Sequence, residues 1–159
     1  EQQISTETQD EVDGAAAISL NAMQAHRQTV QTNSGKLAVI CAPFRPDADE
    51  DDRDNPVAES LALVLSNIDS MPHNIVIVKP GAYKKVGLAA FNMLNDPNAL
   101  KKSYVPDDRS DVIAFSYVID PKRKHTTYFT APKTPGTYPY MCTFPGHWII
   151  MNGVMKVEK

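Results

Sequence analysis

Within ten residues the chain places a thiol, an imidazole and a thioether: Cys142, His147 and Met151, in the run Tyr138-Pro-Tyr-Met-Cys-Thr-Phe-Pro-Gly-His-Trp-Ile-Ile-Met. Upstream, Met71-Pro72-His73-Asn74 opens the apolar run Ile75-Val76-Ile77-Val78 and adds a second imidazole. Soft sulfur donors favour Cu(I), and imidazole also serves Cu(II). Two His, one Cys and a weak axial Met form the donor set of a copper electron-transfer centre with a trigonal plane and one long contact. Four protein donors leave no open position for substrate, so the pattern predicts a carrier of electrons and not an enzyme. The bland alternative is a handful of core residues beside a Pro-Gly turn.

Neighbouring residues fit the same scheme. Pro145 and Gly146 let the loop turn back, so that His147 faces the same point as Cys142. Met71, Phe144, Trp148 and Ile150 are expected to exclude water, which disfavours the more highly charged Cu(II) form and raises the reduction potential. Asn74 is placed to hydrogen-bond the backbone of the Cys142 loop, and the amide of Phe144 to donate to the thiolate. Trp148 is expected to be an exposed anchor for a redox partner, in an apolar patch with Met71, Pro72, Pro145 and Ile149. Met155 is expected to fill the core of the last strand, and His26 and His125 to bind nothing.

The elements that must hold these residues are short and β-rich. Strands are predicted at 37–42, 60–65, 73–78, 112–119, 126–130, 136–141 and 153–157, punctuated by Pro, Gly and Asp. This spacing predicts an all-β sandwich. Between Gly81 and Asp108, Val86, Ala89, Ala90, Met93 and Leu94 follow helical spacing, predicting a flap with one short helix outside the sheets. Residues 1–35 are polar with an Ala-rich middle, and are expected to be a helical or linker extension to a domain at 36–159.

Composition narrows the function further. With 159 residues and a net charge of -3, the chain is expected to be one domain and not a general nucleic-acid binder. No apolar run approaches the roughly 18 residues of a membrane span. No signal peptide is visible at Glu1-Gln-Gln-Ile. Of the two cysteines, Cys41 is expected to be an inert buried thiol, leaving no internal disulfide if Cys142 binds metal. The acidic run between Asp47 and Asp54 reads as a solvated loop, or as a device that steers a basic partner.

The segment Cys142-Thr-Phe-Pro-Gly-His147-x-x-x-Met151, followed by Asn152-Gly153 and a strand, resembles the copper loop of the azurins. Met71-x-His73-Asn74 resembles the segment that carries their first His ligand. Pro106-Asp-Asp-Arg-Ser-Asp-Val-Ile-Ala114 resembles the stretch after their flap helix. The resemblance covers about residues 60 to 159 and little before. It implies a Greek-key cupredoxin β-sandwich of about eight strands, in a periplasmic or otherwise extracytoplasmic setting. It implies one-electron exchange through the exposed edge of His147, with cytochromes, oxidases or reductases as partners. The implied ligands are His73, Cys142, His147 and Met151, with the Pro72 carbonyl as a remote axial contact. The chain is expected to be a monomer or part of a larger one.

Several positions depart from the azurin pattern. Pro72 stands where azurins have Gly, fixing φ at the carbonyl that approaches the metal. The N-terminal disulfide is missing, Ile75 replaces a buried Trp, and Asn67 replaces a non-ligand His linked to pH-dependent potential. A weaker pH dependence follows. Two other classes use the same donors: a copper chaperone or storage protein, and an electron-relay module of a larger secreted enzyme.

Overall fold

The computed structural model describes residues 16–20, 28–31, 37–44 and 60–157, with side-chain environments from Leu61 onward. Nine strands are described: β1 (Ala16–Leu20), β2 (Gln28–Gln31), β3 (Leu37–Phe44), β4 (Ser60–Asn67), β5 (Val76–Val78), β6 (Val112–Phe115), β7 (Lys124–Thr130), β8 (Gly136–Met141) and β9 (Asn152–Val157). They form a five-stranded sheet in the order β1-β9-β8-β5-β6 and a four-stranded sheet in the order β2-β3-β4-β7. Pairing is antiparallel except between β1 and β9, which run parallel with Ala16 opposite Gly153. The all-β sandwich expected from the strand spacing is therefore present.

Alternation explains the layering. Side chains two apart on a strand share a face. Leu63 and Leu65 of β4 meet Ile75 and Ile77, Tyr138 and Tyr140, and Met155 in one buried cluster between the sheets. Val76, Val78 and Met141 point the other way and pack on Ala82, Val86 and Val105. Helix α1 (Tyr83–Asn92) supplies Val86 and Ala90 to this outer layer and continues into a 3-10 turn at Met93–Asn95. Both faces of β5 are thus covered, which is why Ile75–Val78 reads as an unbroken apolar run. Met155 is fully buried in the inter-sheet core.

Several expectations are corrected: β2 pairs with β3 inside the segment expected to be a helical or linker extension, and the strand expected at 73–78 forms only at Val76–Val78. The Ala-rich stretch read as helix-forming contains strand β1, because Ile18 and Leu20 also satisfy a period of two. Pairing with β9 outweighs an alanine helix preference of a few tenths of a kcal/mol per residue. Strand β6 ends at Phe115, not 119; Ile119 instead forms an isolated bridge with His73. The acidic run 47–54, His26 and the side chain of Cys41 lie outside the described residues. Among the described residues, no helix is long and apolar enough to cross a membrane.

Candidate metal centre

His73 and Cys142 lie just beyond the ends of two paired strands, His73 three residues before β5 and Cys142 directly after β8. His73 precedes Ile75 and Ile77, and its backbone exchanges hydrogen bonds with Ile119 (3.1 and 2.7 Å). Cys142 follows Tyr138 and Tyr140 along β8. His147 arrives by a different route. Phe144-Pro145-Gly146-His147 closes a turn through the His147 amide on the Phe144 carbonyl at 3.0 Å, with Gly146 at φ 80°. Proline second and a positive-φ glycine third is the signature of a type II turn. One helical turn follows, in which the amides of Ile150 and Met151 both reach the His147 carbonyl. Residues four apart lie on one face of such a turn, so Met151 sits beneath His147 and buries itself in the cluster that contains Cys142.

Three donor atoms converge. Cys142 Sγ lies 3.7 Å from His73 Nδ1 and 3.7 Å from His147 Nδ1, and the two nitrogens are 3.2 Å apart. An ion equidistant from the corners of that triangle sits about 2.1 Å from each, within reach of metal–imidazole bonds of about 2.0–2.1 Å and metal–thiolate bonds of about 2.3 Å. His73 and Cys142 are each 2% exposed, and Met151 is 4% exposed. Burial pushes the Cys142 thiol up to about 11, while the backbone amides of Asn74 and Phe144 pull the other way. A bound metal ion deprotonates such a thiol outright.

Asn74 joins the two ligand segments. Its Oδ1 accepts from the Thr143 amide (2.8 Å), and its Nδ2 donates to Thr143 Oγ1 and to the Ser103 carbonyl (both 2.7 Å). Ser103 belongs to the flap and holds φ 57°, and its Oγ accepts from the Val118 amide. The Phe144 ring lies 5.2 Å from the His147 ring and is backed by Tyr104 at 5.5 Å.

The rim differs from expectation in two respects. Ile150 and Met71, both expected to exclude water, are 69% and 45% exposed. Trp148 does not stand free: its half-buried ring packs on Gly87 of α1, where an added Cβ would meet ring carbons at 2.4–2.9 Å. Tyr83 donates to the Trp148 carbonyl, and Asn152 Nδ2 reaches Tyr83 Oη at 2.9 Å and the Ile149 carbonyl at 2.9 Å. Helix α1 therefore clasps the turn that carries His147. Met71 and Ile149 are exposed, Pro72 and Pro145 half-buried.

Sequence reading missed Asp69, Tyr83, Gly87, Ser103 and Thr143. Asp69 Oδ2 lies 3.0 Å from His73 Nε2, on the ring edge away from Cys142. Its only signal in the sequence is its place four residues before His73, in Asn67-Ile-Asp-Ser70.

A family model described as copper binding proteins, plastocyanin/azurin family, matches residues 53–158. Auracyanin-A of Chloroflexus aurantiacus is 36% identical over 86 residues, which cover 54% of this chain and 51% of that protein. The azurin of Achromobacter denitrificans is 38% identical over 92 residues, 56% of this chain and 58% of that protein. The chain thus spans little more than half the length of these relatives. The reduced auracyanin of Roseiflexus castenholzii superposes with a TM-score of 0.55 at 36% identity, covering 65% of this chain and 81% of that one. With two facing sheets, a flap helix and this soft donor triangle, the chain belongs to the plastocyanin/azurin family of copper-binding proteins.

Proposed function

We propose that this chain is a one-electron carrier built around a single type 1 copper site. The observation that carries the reading is the buried triangle of Cys142 Sγ, His73 Nδ1 and His147 Nδ1, whose edges of 3.7, 3.7 and 3.2 Å match one ion and its bonds. Met151, buried in the cluster that contains Cys142, would supply a weaker sulfur contact, and the Pro72 carbonyl, next to His73, would be a remote one. When bound, copper takes up and gives back one electron between its Cu(II) and Cu(I) states.

The residues of the chain do the rest. Asn74 and the amide of Phe144 hold the sulfur and its loop in place, so the donor geometry is set before the metal arrives. Phe144, packed on the His147 ring and backed by Tyr104, limits water. His147 lies on the turn that reaches the surface, and its outer edge is the route for electrons. Around it Met71, Pro145 and Ile149 form the contact rim for a redox protein such as a cytochrome, an oxidase or a reductase. The setting is periplasmic or otherwise extracytoplasmic, as for a carrier between membrane-chain partners, and the chain works as a monomer or as one module of a longer protein. Enclosed donors leave no place for substrate, so no residue is assigned to catalysis.

Voltammetry of the copper-loaded protein tests this against copper delivery. A fast, reversible one-electron wave is expected, with copper retained against a weak chelator. Rapid loss of copper to that chelator, with no reversible wave, would instead mark a chaperone or storage protein.

A further inference from the structure

The loop before His73 is built to present one carboxylate. Asn67 is 1% exposed, and its Nδ2 donates to the carbonyls of Met71 (2.7 Å) and Ile119 (2.9 Å). Its Oδ1 accepts from the Asp69 amide at 3.0 Å, closing an Asx turn. Asp69 Oδ1 in turn accepts from the Ser70 amide (2.7 Å) and the Ser70 hydroxyl (3.3 Å). Its other oxygen, Oδ2, is left facing His73 Nε2 at 3.0 Å. The side chains are 12% and 3% exposed, so the contact is shielded from solvent. A carboxylate is an acceptor only, so the proton on this imidazole belongs on Nε2, and Nδ1 keeps its lone pair toward Cys142 and His147.

We infer that Asp69 is a positioning and tuning residue for the copper site: it fixes the tautomer and ring orientation of His73, and its negative charge favours the Cu(II) state. This rests on the copper reading above. Reduction adds one electron and transfers no atom, so the site becomes one unit less positive. A fixed carboxylate one imidazole away stabilises the more positive state, and its hydrogen bond holds the His73 ring with Nδ1 toward Cys142 and His147. The effect opposes the rise in potential that burial causes.

Two measurements test the inference. In the metal-free protein, long-range proton–nitrogen NMR of the His73 ring is expected to show the Nε2–H tautomer; an Nδ1–H tautomer overturns the assignment. In the copper-loaded protein, Asp69→Asn keeps an acceptor for Nε2–H but removes the charge. Its Cu(II)/Cu(I) affinity ratio is expected to fall about tenfold, raising the midpoint potential by about 59 mV. A midpoint equal to that of the unmodified protein overturns the tuning role. If Asp69→Asn does not fold, the NMR measurement on the unmodified chain still decides the orientation. A protein that takes up copper without a thiolate–copper colour defeats the copper reading, whereas a coloured protein with an unmoved midpoint defeats only the role of Asp69.

Discussion

Cys142 shows how one buried atom couples metal, proton and fold. Burial raises its thiol from 9.0 to about 11. Below about pH 9 the folded and unfolded chains both hold this proton, so the metal-free fold has its full stability. As pH climbs toward 11 the unfolded chain ionises first and the fold loses stability, by about 2–3 kcal/mol in all. Chemical denaturation of the metal-free protein at pH 8 and pH 11 should show this loss, and Cys142→Ser should lack that part of it. An equal loss in both proteins would contradict the burial. Asn74 belongs to the same scale. Asn74→Ala leaves the Thr143 amide and the Ser103 carbonyl buried without partners, at a cost of about 2–4 kcal/mol; a change below about 0.5 kcal/mol would mean the bridge holds nothing. The convergence of His73, Cys142 and His147, with Met151 buried beside Cys142, was legible in the sequence because their chemistry is rare and three of these residues lie within ten. Asp69 was not, since a lone carboxylate carries no signal until the Asn67 turn aims it.

At the level of elements, α1 and the 147–151 turn form one unit. Gly87 is the seat of Trp148, and Tyr83 ties down the Trp148 carbonyl. Gly87 lies inside a helix, where alanine would ordinarily gain about 1 kcal/mol. Here the Cβ would press on indole carbons at 2.4 Å, so Gly87→Ala should instead destabilise by about 1–3 kcal/mol and shift the ring signals of His147 in the NMR spectrum. A stabilised variant with unmoved His147 signals would show that the clasp is loose. Strands with period-two alternation were readable one by one, and the flap helix by its 3.6 spacing. β1 was misread because Ala-Ala-Ile-Ser-Leu satisfies both periods, and only its partner β9 decides between them. The seat at Gly87 was unreadable for a related reason: its partner Trp148 is 61 positions away in the chain.

For the whole molecule, the two sheets leave one end where His147 meets a rim of exposed apolar groups, Met71 at 45%, Ile149 at 66% and Ile150 at 69%. Apolar contacts at such a rim favour brief encounters between copies of the protein or with a partner. Ile149→Lys should leave the colour and the midpoint unchanged, yet slow electron self-exchange by about tenfold, equivalent to about 1.4 kcal/mol, because two like charges then meet across the contact. NMR line broadening of mixed oxidised and reduced protein measures this rate, and an unchanged rate would move the exchange route elsewhere. Strand order and the parallel β1–β9 pairing lay beyond the sequence, since both depend on contacts between distant segments. The copper centre requires Cys142 to bind the metal together with the two imidazoles, and one spectrum reads that directly. Cu(II) added to the metal-free protein should give an intense blue thiolate charge-transfer band that Cys142→Ser abolishes. A colourless product with only weak absorption, identical in the two proteins, would contradict the copper centre and the electron-transfer function with it.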